Sequence, residues 1–168
     1  MRRAIILLLA VLPLFAVANK QKKADAQTEQ FRYELEPVSV GQPGTVVVKV
    51  WSFSKKPTIA QEQCKKNAVH GVIFKGVPAK DRIPGKRPLV EDSAKESEFA
   101  DFFAQFFANG GDYMRFVTLT NSGAVSDVAK VAKGQYKYKV GLVVTVSYDE
   151  LRKYLESKGV IRKLGSGF

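Results

Sequence analysis

Val46-Val47-Val48-Lys49-Val50-Trp51-Ser52-Phe53 is the stretch that decides the fold. Successive side chains of an extended chain point to opposite faces, so Val46, Val48 and Val50 form one apolar side, with Val47, Lys49, Trp51 and Phe53 on the other. Just upstream, Gly41-Gln42-Pro43-Gly44 has the composition of a turn. Before that turn, Phe31, Tyr33 and Leu35 alternate with Arg32, Glu34 and Glu36, the pattern of a half-buried strand. The two strands predict an antiparallel hairpin.

A second pair is expected further on, from Tyr113 to Thr120, through a polar connection at Asn121-Ser122-Gly123, to Gln135–Val146. In its last strand Tyr136, Tyr138, Val140, Leu142, Val144 and Val146 make one continuous apolar side opposite Lys137 and Lys139. Three helices are announced by a hydroxyl residue followed three positions later by Glu or Gln, an arrangement in which each partner satisfies the other's free backbone amide. The pairs are Thr58 with Gln61, Ser93 with Glu96, and Ser147 with Glu150. In the first helix Ala60, Cys64, Ala68 and Val72 recur every fourth position, and small side chains let a helix lie close against a sheet. The second carries Phe99, Phe102, Phe103, Phe106 and Phe107 at amphipathic spacing and stops at Asn109-Gly110-Gly111. The third buries Leu151 and Leu155, with Tyr154 alongside, and ends at Gly159. The order β-β-α-α-β-β-α predicts an α+β, two-layer sandwich with a largely antiparallel four-stranded sheet and three helices, a single domain over residues 27–168.

The N-terminus reads as a signal peptide over residues 1–26. Met1-Arg2-Arg3 is followed by an apolar run from Ala4 to Ala18 interrupted only by Pro13, and small-x-small sites stand at Ala16-Val17-Ala18 and Ala24-Asp25-Ala26. A cut after Ala26 is favoured over one after Ala18. The run is short for a membrane span, so the processed protein is not expected to cross a membrane. The one cysteine, Cys64, neither follows the leader, as a lipoprotein anchor requires, nor permits an internal disulfide. Export to the periplasm or the extracellular space is the expectation, with the fold held by its core alone. Removing residues 1–26 leaves 142 residues, 22 basic against 15 acidic, and lowers the formal net charge from +11 to +7. A basic exported protein can meet anionic lipid headgroups, lipopolysaccharide phosphates, peptidoglycan carboxylates or nucleic acid, and charge alone does not choose among them. Nucleic-acid binding needs a contiguous basic patch and is not expected.

No motif for catalysis, metal or cofactor is visible. His70, the only histidine, has no metal-ligating neighbour at suitable spacing, and Cys64, six residues away, falls on a different helix face. Cys64 reads as a small core residue and His70 as a peripheral structural one. The Phe stripe reads as core, and Glu91, Asp92, Glu96, Glu98 and Asp101 read as charges offsetting a helix dipole. No calcium-loop spacing, phosphate-binding loop or dinucleotide fingerprint occurs. Two features remain. The face bearing Lys49, Trp51 and Phe53 is core if helices cover both sides of the sheet, and an aromatic-basic binding surface if they cover one. The segment from Gly76 to Asp92 holds Pro78, Pro84 and Pro88 among Lys80, Arg82, Lys86 and Arg87, and its length marks a functional or simply mobile loop.

The run from Val46 through Lys55-Lys56-Pro57 into Ala60, Cys64, Ala68-Val69-His70-Gly71-Val72-Ile73-Phe74-Lys75-Gly76 resembles small exported proteins of Gram-negative bacteria. More distantly it is similar to the LPP20-like and flagellar-assembly-T N-terminal modules of envelope proteins, with Tyr138–Val146 and Leu151–Val160 as the later strand and helix. The resemblance implies a non-catalytic accessory or assembly role in the cell envelope. The expected function is therefore non-enzymatic binding of an envelope protein or anionic envelope polymer, with Lys49, Trp51, Phe53, Lys80, Arg82, Lys86 and Arg87 as the binding residues and no cofactor. The alternative is an exported enzyme or inhibitor whose site is assembled from residues distant in sequence. Intact mass spectrometry of protein recovered outside the cytoplasm is expected to show Gln27 as first residue, or failing that Asn19. Recovery of the full-length chain from the cytoplasm alone overturns the export reading.

Overall fold

A computed structural model of the chain describes residues 23, 26–56, 60–120, 127–131 and 136–163. Apart from Lys23 and Ala26, the leader lies outside them, as do Thr58 of the first expected cap, the Asn121-Ser122-Gly123 connection and Gln135. The fold is α+β, built on a five-stranded antiparallel sheet. Strands β1 (Thr28–Ser39) and β2 (Val46–Ser54) form the expected hairpin, and β2 pairs along its whole length with β5 (Tyr138–Val146). The far edge of β5 is shared by two short strands, β3 (Val117–Leu119) and β4 (Asp127–Lys130).

Helix α1 (Ala60–Phe74) lies across β1, β2 and β5. Cys64, Ala68 and Val72 are fully buried, as are Val48 and Val50 of β2 and Val140, Leu142, Val144 and Val146 of β5. Gly71 sets how close the helix lies. A Cβ there would fall 2.4 Å from Leu35 Cδ1 and 2.9 Å from Tyr33 Cε2, so any other residue requires those two β1 side chains to shift. The amphipathic Phe segment follows as α2 (Ala94–Glu98) and α3 (Ala100–Phe106), and α4 (Tyr148–Ser157) closes the fold with Leu151 and Leu155 in the core.

Four expectations are corrected. The sheet has five strands rather than four, because β4 is an edge strand with every residue exposed and so carries no hydrophobic alternation. The segment 113–120 is mostly not a strand. A 3₁₀ helix occupies Asp112–Phe116, placing the buried Tyr113 and Phe116 three residues apart on one side of a three-residue turn, and β3 starts only at Val117. The Phe helix is broken at Phe99 (φ −105°, ψ 28°), since α2 buries nothing and the apolar stripe holds α3 alone. Neither described serine caps its helix. Ser93 is itself helical, and Asp92 Oδ1 accepts from the Ala94 amide at 2.9 Å in its place, while Ser147 makes no side-chain cap bond.

The proline loop is a fixed arm. Val77 pairs with Lys86 and Lys80 with Ile83 as antiparallel bridges, and the chain returns through Leu89 N–H to Val72 O (3.3 Å) and Val90 N–H to Ile73 O (2.9 Å), with Leu89 and Val90 buried. The aromatic layer above α1 is continuous. Phe103 meets Phe74 at 4.8 Å and Phe102 at 5.1 Å, and Phe106 meets Tyr154 at 5.7 Å. Phe103→Ala is expected to cost about 3 to 5 kcal/mol in urea unfolding, because the ring is buried and its neighbours are held by other contacts. An unchanged unfolding midpoint would place the ring outside the core.

Candidate functional site

Among the described residues the helices cover one side of the sheet, the side of Val48 and Val50. Lys49, Trp51 and Phe53 are half-buried on the other. The register explains the seat of the indole. Trp51 lies between Glu34 of β1 and Gly141 of β5, and Gly141 offers no side chain, so the ring lies over its backbone. A Cβ at Gly141 would come within 3.0 to 3.2 Å of three indole atoms. Trp51 Nε1 donates to Glu36 Oε2 at 3.2 Å, and the ammonium groups of Lys139 and Lys49 stand 5.0 and 5.4 Å from the indole centroid. Arg32 stands 4.6 Å from the Phe53 ring.

The cations on this face are paired with acids. Lys49 meets Asp127 at 2.7 Å, Lys139 meets Glu34 at 2.5 Å, and Lys80 of the proline arm reaches Glu36, the same carboxylate that accepts from Trp51. Those two hydrogen bonds, from Lys80 first and then Trp51, hold the Glu36 carboxyl below its usual range. Lys80 therefore joins the Trp51 face. Lys86 and Arg87 are placed elsewhere, against the start of α4: Lys86 Nζ is 5.5 Å from the Tyr148 ring, and Tyr148 Oη donates to Arg87 O at 3.3 Å. Arg82 is exposed at the tip of the arm, beside Asp81 with its left-handed φ of +53°. Among the described residues no ion pair reaches Arg82, Lys86 or Arg87.

A second polar cluster lies on the helix side, and here the reading of His70 as peripheral is corrected. The residue is 7% exposed. Tyr33 Oη lies 2.7 Å from His70 Nδ1, and Glu96 Oε1 lies 3.5 Å from Nε2. Burial, reinforced by the charge of Glu96, raises the Tyr33 phenol so that it keeps its proton. Tyr33 is then the donor and Nδ1 the acceptor, which leaves the imidazole proton on Nε2, facing Glu96. Burial, with Lys75 nearby, lowers His70 to about 4. The Glu96 carboxylate, 3.5 Å from Nε2, pulls the other way, and burial outweighs it. Phe31 stacks on the imidazole at 4.0 Å, in a left-handed conformation (φ +57°) at the bulge of β1, and its amide donates to Asn67 Oδ1 at 3.3 Å.

Cys64 takes a different partner, Ser52 Oγ at 3.1 Å, and burial raises its thiol to about 12, so it carries no thiolate at neutral pH. Asn67 Nδ2 donates to the same Ser52 Oγ at 2.8 Å and Gln63 Nε2 to Asn67 Oδ1 at 3.0 Å. Among the described residues no group of three or more His, Cys, Asp or Glu side chains could hold a metal ion, and no helix is long and apolar enough to cross a membrane. Sequence reading missed the Tyr33, His70 and Glu96 cluster because its members are far apart in the chain. One signal was available: Gln63, Lys66, Asn67, His70 and Phe74 form a second stripe on α1, beside the small apolar one. Compared with protein-family models, with curated proteins and with solved structures, the chain matches none.

The buried imidazole makes stability depend on pH. Its folded value lies below the unfolded value near 6.5, so the unfolded chain binds the extra proton between these limits and stability falls as pH drops from about 6.5 to about 4. The loss is expected to reach roughly 3 kcal/mol. Because the chain has one histidine, an NMR titration of its ring is expected to show a midpoint near 4. In urea unfolding His70→Gln should lack this part of the pH dependence. A ring titrating near its ordinary value would mean that His70 is solvated.

Proposed function

We propose that this protein is an exported, non-enzymatic accessory or assembly protein of the cell envelope, binding another macromolecule through the Lys49, Trp51 and Phe53 face of its sheet. The observation that carries this reading is the Trp51 indole, half-buried on the Gly141 backbone and framed by charges that already have partners. A partner that covers such a surface gains apolar contact area without stripping water from lone charges, and Trp is the residue type that most often dominates binding energy. The exposed Arg82, Lys86 and Arg87 add a long-range attraction for an acidic envelope protein or an anionic polymer. The two contributions differ in their response to salt, which screens the arm's charges and leaves the indole contact unaffected.

The test compares the wild type with Trp51→Ala and with Lys86→Glu/Arg87→Glu, measuring binding to solubilised envelope proteins, peptidoglycan and lipopolysaccharide at low and high salt. Trp51→Ala is expected to unfold cooperatively like the wild type and to lose roughly tenfold or more of the salt-resistant binding. The arm variant is expected to lose the salt-sensitive part. Wild-type binding by both variants, or simple unfolding of the domain by Trp51→Ala, would remove this assignment.

A further inference from the structure

On the opposite side of the sheet, α1, α3 and the bulged start of β1 line an open cleft of about 600 Å³, within the size range of small-molecule sites. Its floor is buried or half-buried and largely aromatic: Phe31, Phe74, Phe103 and Phe107, with His70 and Lys66 beside them. Its rim is exposed and mostly small, with Ala100, Ala104 and Ala108 one helical turn apart along α3 and its continuation. The Phe stripe therefore does two things. It fills the core at Phe103 and Phe106, and the edges of Phe103 and Phe107 that remain exposed form the floor of a cleft with an alanine rim.

One polar pair marks how a ligand would be held. The His70 Nε2 proton and the Glu96 carboxylate face each other at 3.5 Å, too far for a good direct hydrogen bond. An oxygen about 2.8 Å from each closes that triangle, accepting from His70 and donating to Glu96. Only a group that is donor and acceptor at once does both, as water does in the open cleft and as a ligand hydroxyl that displaces it would. Lys66 and Glu96 put opposite charges on the lining, which favours neither a ligand anion nor a ligand cation. Four rings close to one another suit a flat body, which meets them by stacking and edge contacts. Phe31 is held in its left-handed conformation over the imidazole, and such strain in a non-glycine residue clusters at ligand sites.

We propose that this cleft binds a small neutral ring compound bearing a hydroxyl, with the hydroxyl bridging His70 Nε2 and Glu96 and the ring lying among Phe31, Phe74, Phe103 and Phe107. The site is separate from the Trp51 face. The groups facing the imidazole are Tyr33 from β1, Lys75 just past the end of α1 and Glu96 from α2, and Lys66 of α1 lines the same cleft.

β-Naphthol serves as the probe, with its methyl ether, which accepts but cannot donate, and β-naphthoate, which is charged, as comparisons. The single imidazole gives an unambiguous NMR reporter. β-Naphthol is expected to shift the His70 ring signals saturably at submillimolar concentration, binding roughly tenfold or more tightly than either comparison compound, the strength of one charge-assisted hydrogen bond. Glu96→Ala should bind β-naphthol and its methyl ether alike. Ala104→Trp, an exposed rim position, should abolish binding of both while leaving the melting temperature near that of the wild type. No saturable shift with the wild type, an unchanged hydroxyl preference in Glu96→Ala, or normal binding by a folded Ala104→Trp would each overturn the proposal.

Discussion

The close approach of α1 to the sheet at Gly71 is the constraint on which the rest of the molecule depends. Leu35 and Tyr33 occupy the space a side chain at 71 would need, so helix and strand touch through backbone and β1 side chains. That contact lets a second stripe of α1 be buried as well. Gln63, Lys66, Asn67 and His70 all have under a tenth of their surface exposed, roofed by the Phe layer and the start of β1. Buried polar groups are costly unless bonded, and here Ser52, Tyr33 and the Phe31 amide supply partners to Asn67 and His70. The network and the aromatic roof lie beside this contact, along the same helix.

The same economy of space operates on the other side. Gly141 is fully buried in a central strand, where a glycine has no propensity to recommend it. Its value lies in what it leaves room for, since the Trp51 ring takes the place of the missing side chain. Lys49 of the same strand and Lys139 of β5 then stand over the indole, paired with Asp127 of β4 and Glu34 of β1 at register positions fixed by antiparallel pairing. Paired surface charges contribute little to stability, but they orient the cations above the ring.

What was legible in the sequence follows from periodicity. The β1–β2 hairpin, the β2 faces, the small-residue face of α1 and the Phe stripe each repeat every two or every three to four residues, and each is observed. Elements without an apolar repeat were not legible. β4 buries nothing, α2 buries nothing, and the 3₁₀ turn at Asp112–Phe116 is too short to establish a period. The serine caps failed for a different reason. Ser93 sits in the helical conformation rather than the extended one from which a capping hydroxyl reaches the next turn, and Asp92 takes that place. Of the binding residues, Lys49, Trp51 and Phe53 share a face because strand alternation requires it, and Lys80 reaches that face only because the arm folds back to Glu36. His70, Tyr33 and Glu96 meet through tertiary packing, which no local spacing encodes. Glu96 in particular satisfied a dipole argument so well that its turn toward His70 had no sequence signal of its own.

β1 joins the two sides of the molecule. Tyr33 and Leu35 point to α1, and Glu34 and Glu36 point to the Trp51 face, so alternate residues of one strand furnish both polar sites. Sliding the strand by one residue would exchange the two sets, sending carboxylates against Gly71 and a phenol toward Lys139. Two features oppose such a slip. Glu34 and Glu36 are each held by a lysine from another element, and the bulge between Thr28 and Tyr33 takes up the extra residues while the Phe31 amide is fixed on Asn67. The left-handed Phe31 is therefore a register lock as well as a wall of the cleft. Its conformational cost is sustained because stacking on His70 and the bond to Asn67 both require the ring and amide where they are.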